Sequence, residues 1–101
     1  MKILLLGDII GPSGRKAIGE KLPKLIKKKK LDFVILNGEN AADSGVGITK
    51  ENFEEFLKAG ADVITTGNHV WDQKETMEFI SSEKRLLRPK NLAEGTPGNG
   101  Y

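Results

Sequence analysis

Three short apolar runs end abruptly in polar residues: Leu4-Leu5-Leu6 in Gly7-Asp8, Val34-Ile35-Leu36 in Asn37-Gly38-Glu39-Asn40, and Val63-Ile64-Thr65-Thr66 in Gly67-Asn68-His69. Runs this short, rich in Ile, Leu and Val and bounded by Gly or Asn-Gly, read as buried strands over residues 2–7, 32–37 and 62–66. Helical patterns lie between them, so the connections are crossovers and the strands are expected to be parallel. All three polar ends then converge beyond the carboxyl edge of one sheet, where open α/β sheets place their ligands.

The crossovers carry their own signals. In residues 14–30, Ile18, Leu22, Leu25 and Ile26 fall at i, i+4, i+7 and i+8 and form one apolar stripe. Pro23 within that stretch predicts a kink or a restart near Leu22. Thr49 is a candidate N-cap for a second helix with Phe53, Phe56 and Leu57 on its buried side and Gly60 as its stop. Asp72 with Glu75 reads as an N-terminal capping arrangement for a third helix whose apolar face holds Met77 and Ile80. Leu86-Leu87 would start a fourth strand cut short by Arg88-Pro89. The stretch from Gly95 to Tyr101 is dense in turn formers and reads as a connection beyond which a sheet edge is left open. The order is βαβαβα, one domain over residues 1–101, able to bury roughly two-thirds of its extended-chain surface.

Composition narrows the function classes. Lys and Arg number 16 against 14 Asp and Glu, a formal net charge of +2, which does not suggest a nucleic-acid binder, and no stable nucleic-acid complex is expected. Lys27 to Lys30 read as a solvated helix end that suits the negative end of the helix dipole. With no Cys, a disulfide framework, a thiolate metal site and a cysteine nucleophile are all excluded, which fits the cytoplasm. No apolar run is long enough for a membrane span or a signal-peptide core.

The candidate chemistry sits at the strand ends. Asp8 is either a carboxylate ligand or a turn-capping acid. Glu39 gains nothing structural between Gly38 and Asn40, whereas a carboxylate there can bridge two cations. Asn37, Asn40 and Asn68 are ordinary turn residues one by one, and an asparagine offers a metal only its carbonyl oxygen. His69, the single histidine, would alone be read as a satisfied structural residue. Two other strand ends supplying acids make it a candidate proton carrier. Such oxygen and nitrogen donors suit a hard or borderline divalent metal. Trp71 reads as packing. Arg15, at the start of the first helix, could meet a phosphate with the amides around it, but the spacing of Gly7, Gly11 and Gly14 matches neither the dinucleotide fingerprint nor a P-loop.

Taken together, Gly7-Asp8-Ile9-Ile10-Gly11, Asn37-Gly38-Glu39-Asn40-Ala41-Ala42, Thr66-Gly67-Asn68-His69-Val70-Trp71-Asp72, Arg88-Pro89 with Asn91, and Glu94-Gly95-Thr96-Pro97-Gly98 resemble the YmdB-type bacterial branch of the calcineurin-like metallophosphoesterases. The resemblance runs collinearly over essentially the whole chain. It implies the parallel βαβαβα half of a four-layer α/β/β/α sandwich, and a hydrolase that cleaves phosphodiesters, cyclic nucleotides among them, at a dimetal centre. The cofactors implied are two divalent ions, iron or manganese, with magnesium as a further option. On that pattern Asp8 binds one metal, Glu39 bridges both, Asn40 binds the first and Asn68 the second, while His69 protonates the leaving oxygen. Ile10 stands where the wider superfamily has a histidine, and Glu39 where it has an aspartate, which fits this branch. The remaining ligands of the family are histidines in a second half. The chain is therefore expected to be an amino-terminal portion carrying about half of the site, completed by a carboxyl-terminal half or a homo-oligomer. No substrate-binding residue is identified by the resemblance. Two other classes stay open at this level: a flavodoxin-like module holding a nucleotide phosphate between Gly11 and Arg15, and an inactive fragment that self-associates through its unfinished sheet edge.

Overall fold

Four parallel strands form one sheet in the order β1-β2-β3-β4 in a computed structural model that describes residues 1–101. The elements are β1 (Ile3–Leu6), α1 (Gly11–Lys29), β2 (Phe33–Asn37), α2 (Lys50–Ala59), β3 (Val63–Thr65), α3 (Thr76–Phe79), a 3₁₀ turn (Ile80–Ser82) and β4 (Leu86–Leu87). Register aligns Leu6, Leu36, Ile64 and Leu86 across the sheet. These residues, with Leu4 and Val34, face α1 and α2 and form the core with Ile18, Leu22, Phe53, Phe56 and Ala59. The opposite face is bare: Ile3 and Leu5 are 56% and 69% exposed, and Phe33, Ile35 and Val63 are half-buried. It is the face that a four-layer sandwich would cover with a second sheet.

The second helix follows its sequence signals. Thr49 caps it in a reciprocal arrangement with Asn52, each side chain meeting the other's backbone N–H at 3.1 Å, and Gly60 ends it in the left-handed conformation. The first helix departs from expectation in two ways. It begins earlier, at Gly11, with Pro12 in its first turn, where a missing N–H costs nothing. It also runs through Pro23 without a restart. Pro23 and Gly19, four residues before it, are both exposed, so the carbonyl that Pro23 cannot serve faces water. Lys27 to Lys30 are exposed in the last turn and at the cap, as expected.

The third helix is the main correction. It is a single turn, Thr76–Phe79, with no side-chain cap. Its buried residues are Thr76, Phe79 and the following Ile80, while Met77 is 53% exposed. Asp72 and Glu75 therefore do not cap a long helix. The chain instead follows contacts to the neighbouring loop: Thr76 Oγ1 donates to the Ile48 carbonyl at 2.7 Å with no solvent exposure. Residues 95–101 differ too. They fold back along β4, with the Arg88 N–H donating to the Asn99 carbonyl at 2.9 Å and Leu87 bridging Asn99, so that edge is partly paired.

Candidate active site

The loops that leave β1, β2 and β3 meet at the carboxyl edge of the sheet. Asp8 lies in the left-handed region at φ 52°, a conformation that costs a non-glycine residue energy and that Asp adopts more readily than most. Its Oδ1 accepts from Asn40 Nδ2 at 2.7 Å, and the backbone of Gly11 ties the same two loops by donating to the Asn40 carbonyl at 2.9 Å. The sequence-distant Asp8 and Asn40 thus form one unit. Asn40 Oδ1 is buried and accepts no hydrogen bond. Turning the amide over would set that oxygen against the Asp8 carboxylate, so the orientation is fixed.

Glu39 is held from β3. Its Oε2 accepts from the His69 backbone N–H at 3.3 Å, and its Oε1 lies 3.4 Å from Asn37 Nδ2. The carboxylate rests flat on Gly67, where a Cβ would collide with both of its oxygens. Gly67 is therefore glycine for space, since its φ is not in the left-handed region. Asn68 is exposed at the turn that follows. His69 Nδ1 lies 2.6 Å from Asp72 Oδ2. A carboxylate only accepts, so Nδ1 carries the proton and Nε2 is the nitrogen left for chemistry.

Asp72, which sequence reasoning placed as a helix cap, is instead the partner of the His69 ring. Its signal was present in the sequence, since a carboxylate three residues after a histidine within one tight turn can reach back to the ring. Gln73, next to it, clamps the loop after Asn40 by donating to the Val46 carbonyl at 2.9 Å and to Ser44 Oγ at 3.3 Å. Gly47 lies directly under Gln73, with room for no Cβ.

Arg15 does not present a phosphate site. Its guanidinium donates to the Ala41 carbonyl at 2.6 Å and to Asp43 Oδ1 at 2.8 Å, and it pairs with Glu55 at 3.3 Å. The charge is paired within the fold, although the buried Nε makes no hydrogen bond, and it braces α1 against the Glu39 loop. The strand order also removes the flavodoxin-like alternative, which needs β1 inside the sheet beside a switch point; here β1 is an edge. Two clefts, of about 390 and 370 Å³, flank Arg15, and none of Asp8, Glu39, Asn40 or His69 lines either one. The candidate site is an open rim bordering the bare sheet face.

The donor set fits a hard or borderline divalent cation in part. The buried orphan oxygen of Asn40, the Asp8 carboxylate beside it and the Glu39 carboxylate supply oxygen donors. No three His, Asp or Glu side chains gather closely enough to hold a metal by themselves, so amide oxygens have to contribute and the shell is incomplete.

The chain matches the model of the YmdB-like protein family over residues 4–101. It belongs to the YmdB-like family. Among its relatives, it is 49% identical to a 2',3'-cyclic-nucleotide 2'-phosphodiesterase of Bacillus subtilis, over 99% of this chain and 38% of that protein. It is 39% identical to a protein of Mycoplasma genitalium named as a putative phosphatase/phosphodiesterase, over 93% of this chain and 33% of that protein. The chain thus spans about a third of the length of these YmdB-like relatives. In structure it superposes on a hypothetical protein from Thermus thermophilus with a TM-score of 0.89 at 38% identity, covering 99% of this chain and 38% of that one. It also superposes on a novel phosphatase of Mycoplasma pneumoniae with a TM-score of 0.87 at 35% identity, covering 97% and 36%. The parallel α/β unit is thus one that this chain shares with a part of each of these two structures.

Proposed function

We propose that residues 1–101 are the amino-terminal part of a metallophosphoesterase domain, carrying about half of a dimetal site that hydrolyses phosphodiesters such as 2',3'-cyclic nucleotides. The observation that carries this reading is the meeting of Asp8, Asn40 and Glu39 from two strand ends with His69 from a third. The names of the relatives support the phosphodiester as substrate.

Asp8 and Asn40 would hold one ion, Glu39 would bridge to a second, and Asn68 would join the second. When bound, the ions would supply Lewis-acid polarisation of the phosphate and an activated water, with iron or manganese the metals that the family resemblance implies. Asp72 fixes the ring of His69 through Nδ1, so a proton leaves or arrives at Nε2. In its doubly protonated form His69, with Nδ1–H held by Asp72, gives the Nε2 proton to the departing alkoxide and is left as the neutral Nδ1–H imidazole. The Asp8–Asn40 contact, the Gly67 floor and the His69 N–H keep both carboxylates in place before substrate arrives, which lowers the reorganisation needed at the moment of reaction. No helix is long and apolar enough to cross a membrane, and the lack of Cys supports a cytoplasmic setting.

The test is hydrolysis of bis(p-nitrophenyl) phosphate by the purified chain with and without manganese, beside Glu39→Ala and His69→Ala. Manganese uptake that is lost in E39A is expected of the half-site, and any manganese-dependent turnover is expected to vanish in E39A and to be slower by about 10²–10⁴-fold in H69A at unchanged metal content. A full-rate H69A would end the proton-donor role. A parent chain that shows neither manganese uptake nor manganese-dependent turnover would overturn the reading of these residues as metal ligands.

A second reading rests on the bare face, where Ile3 and Leu5 are exposed: the chain self-associates there, as apolar sheet faces do when uncovered. Sedimentation would then show a mass that grows with concentration and falls on Leu5→Lys.

A further inference from the structure

We infer that Asn37 is the positioning residue for the Glu39 carboxylate. The consequence for metal binding rests on the proposed function, whereas the positioning itself does not. Asn37 closes β2 on the bare side of the sheet, in register with Thr65 of β3. Its neighbours on that face are Phe33 and Ile35, and an apolar side chain would suit the position equally well. The amide instead lies with Nδ2 3.4 Å from Glu39 Oε1 and 3.5 Å from Thr65 Oγ1. Thr65 Oγ1 in turn lies 3.5 Å from the Leu36 carbonyl.

The other end of the amide shows what this arrangement costs. Asn37 Oδ1 is buried and accepts no hydrogen bond, a state that native structures tolerate only where something is gained. Flipping the amide would give that oxygen the Thr65 hydroxyl but would aim it at the Glu39 carboxylate, so the carboxylate dictates the orientation. Each Glu39 oxygen then has a single protein donor, Asn37 Nδ2 on Oε1 and the His69 N–H on Oε2. Gly67 leaves the space between them. Both oxygens keep a free lone pair, which a carboxylate serving two cations requires.

The test uses the metal-free, ¹⁵N-labelled chain. Glu39→Ala first sets how far the His69 amide resonance moves when its acceptor is lost. Asn37→Leu, similar in size and without a donor, is expected to move the His69 and Gly67 amides toward their E39A positions while the Val34 and Asp62 amides at the far edge stay. A His69 amide that keeps its wild-type position in N37L, while moving in E39A, overturns the positioning role. If N37L also displaces Val34 and Asp62, Asn37→Ala, which cannot overpack, decides by the same two resonances. A manganese titration of the same samples separates the two levels: N37L weakens uptake by about 10–100-fold if both hold. A parent chain that takes up no manganese ends the metal reading and leaves the amide result to decide Asn37 alone.

Discussion

The two ends of the sheet treat their polar groups differently. At the amino edge every strand-end acid is used: Asp62 Oδ2 accepts from the Val34 N–H at 2.8 Å, and Asp32 Oδ2 accepts from the Lys2 N–H at 2.6 Å. At the carboxyl edge Asn37 Oδ1 and Asn40 Oδ1 are buried without partners, and Asp8 is held at φ 52°. Acids stand beside strand termini at both ends, whereas amides do so only at the carboxyl edge. One end is built for stability and the other stores unsatisfied groups, which is how a site prepared for a ligand differs from a finished structural contact.

The comparison can be broken by substitution, starting with the element that both ends share. Phe53→Ala removes a side chain 1% exposed from beneath the sheet and is expected to cost about 3–5 kcal/mol in urea unfolding. A smaller loss would mean that the helix-covered face is not the main source of stability. Gly67→Ala should cost about 1–3 kcal/mol by overpacking Glu39. Most of that should return in the G67A/E39A double variant; simple additivity would show that the Glu39 carboxylate is not what occupies the space. Asp62→Ala, at the satisfied edge, leaves the Val34 N–H unpaired and should destabilise by about 1–2 kcal/mol. Asp8→Gly, at the strained edge, relieves the left-handed backbone but also removes the acceptor of Asn40 Nδ2, so it is expected to change the unfolding free energy by less than D62A does while removing a proposed metal ligand. Loss of stability in D8G matching that in D62A would erase the contrast between the two ends.

Much of this architecture was legible because it depends on local pattern. The apolar runs, the Thr49 cap and the Gly60 stop specify their elements through nearest-neighbour physics, and Asp8, Glu39 and His69 were identifiable from their places at strand ends. What went wrong involved partners distant in the fold or choices between two local partners. Asp72 with Glu75 has the spacing of a helix start, yet the His69 ring offered Asp72 a stronger contact and Thr76 was drawn to the Ile48 carbonyl. Pro23 breaks helices in general, and only the exposure of its turn shows why it is tolerated here. Arg15 read as a phosphate ligand until Asp43 and Glu55 came within reach of it.

By itself, then, the sequence determined the parallel alternation of strands and helices, the edge at which the polar residues gather and the family to which the chain is similar. These follow from periodicity and from short motifs, which require no knowledge of long-range contacts. Tertiary structure alone decided that Asn40 turns to Asp8, that Gly67 is a floor for Glu39 and that Asn37 faces that carboxylate. Each depends on side chains brought together by register across the sheet, and register is set by the packing of the whole core against one face.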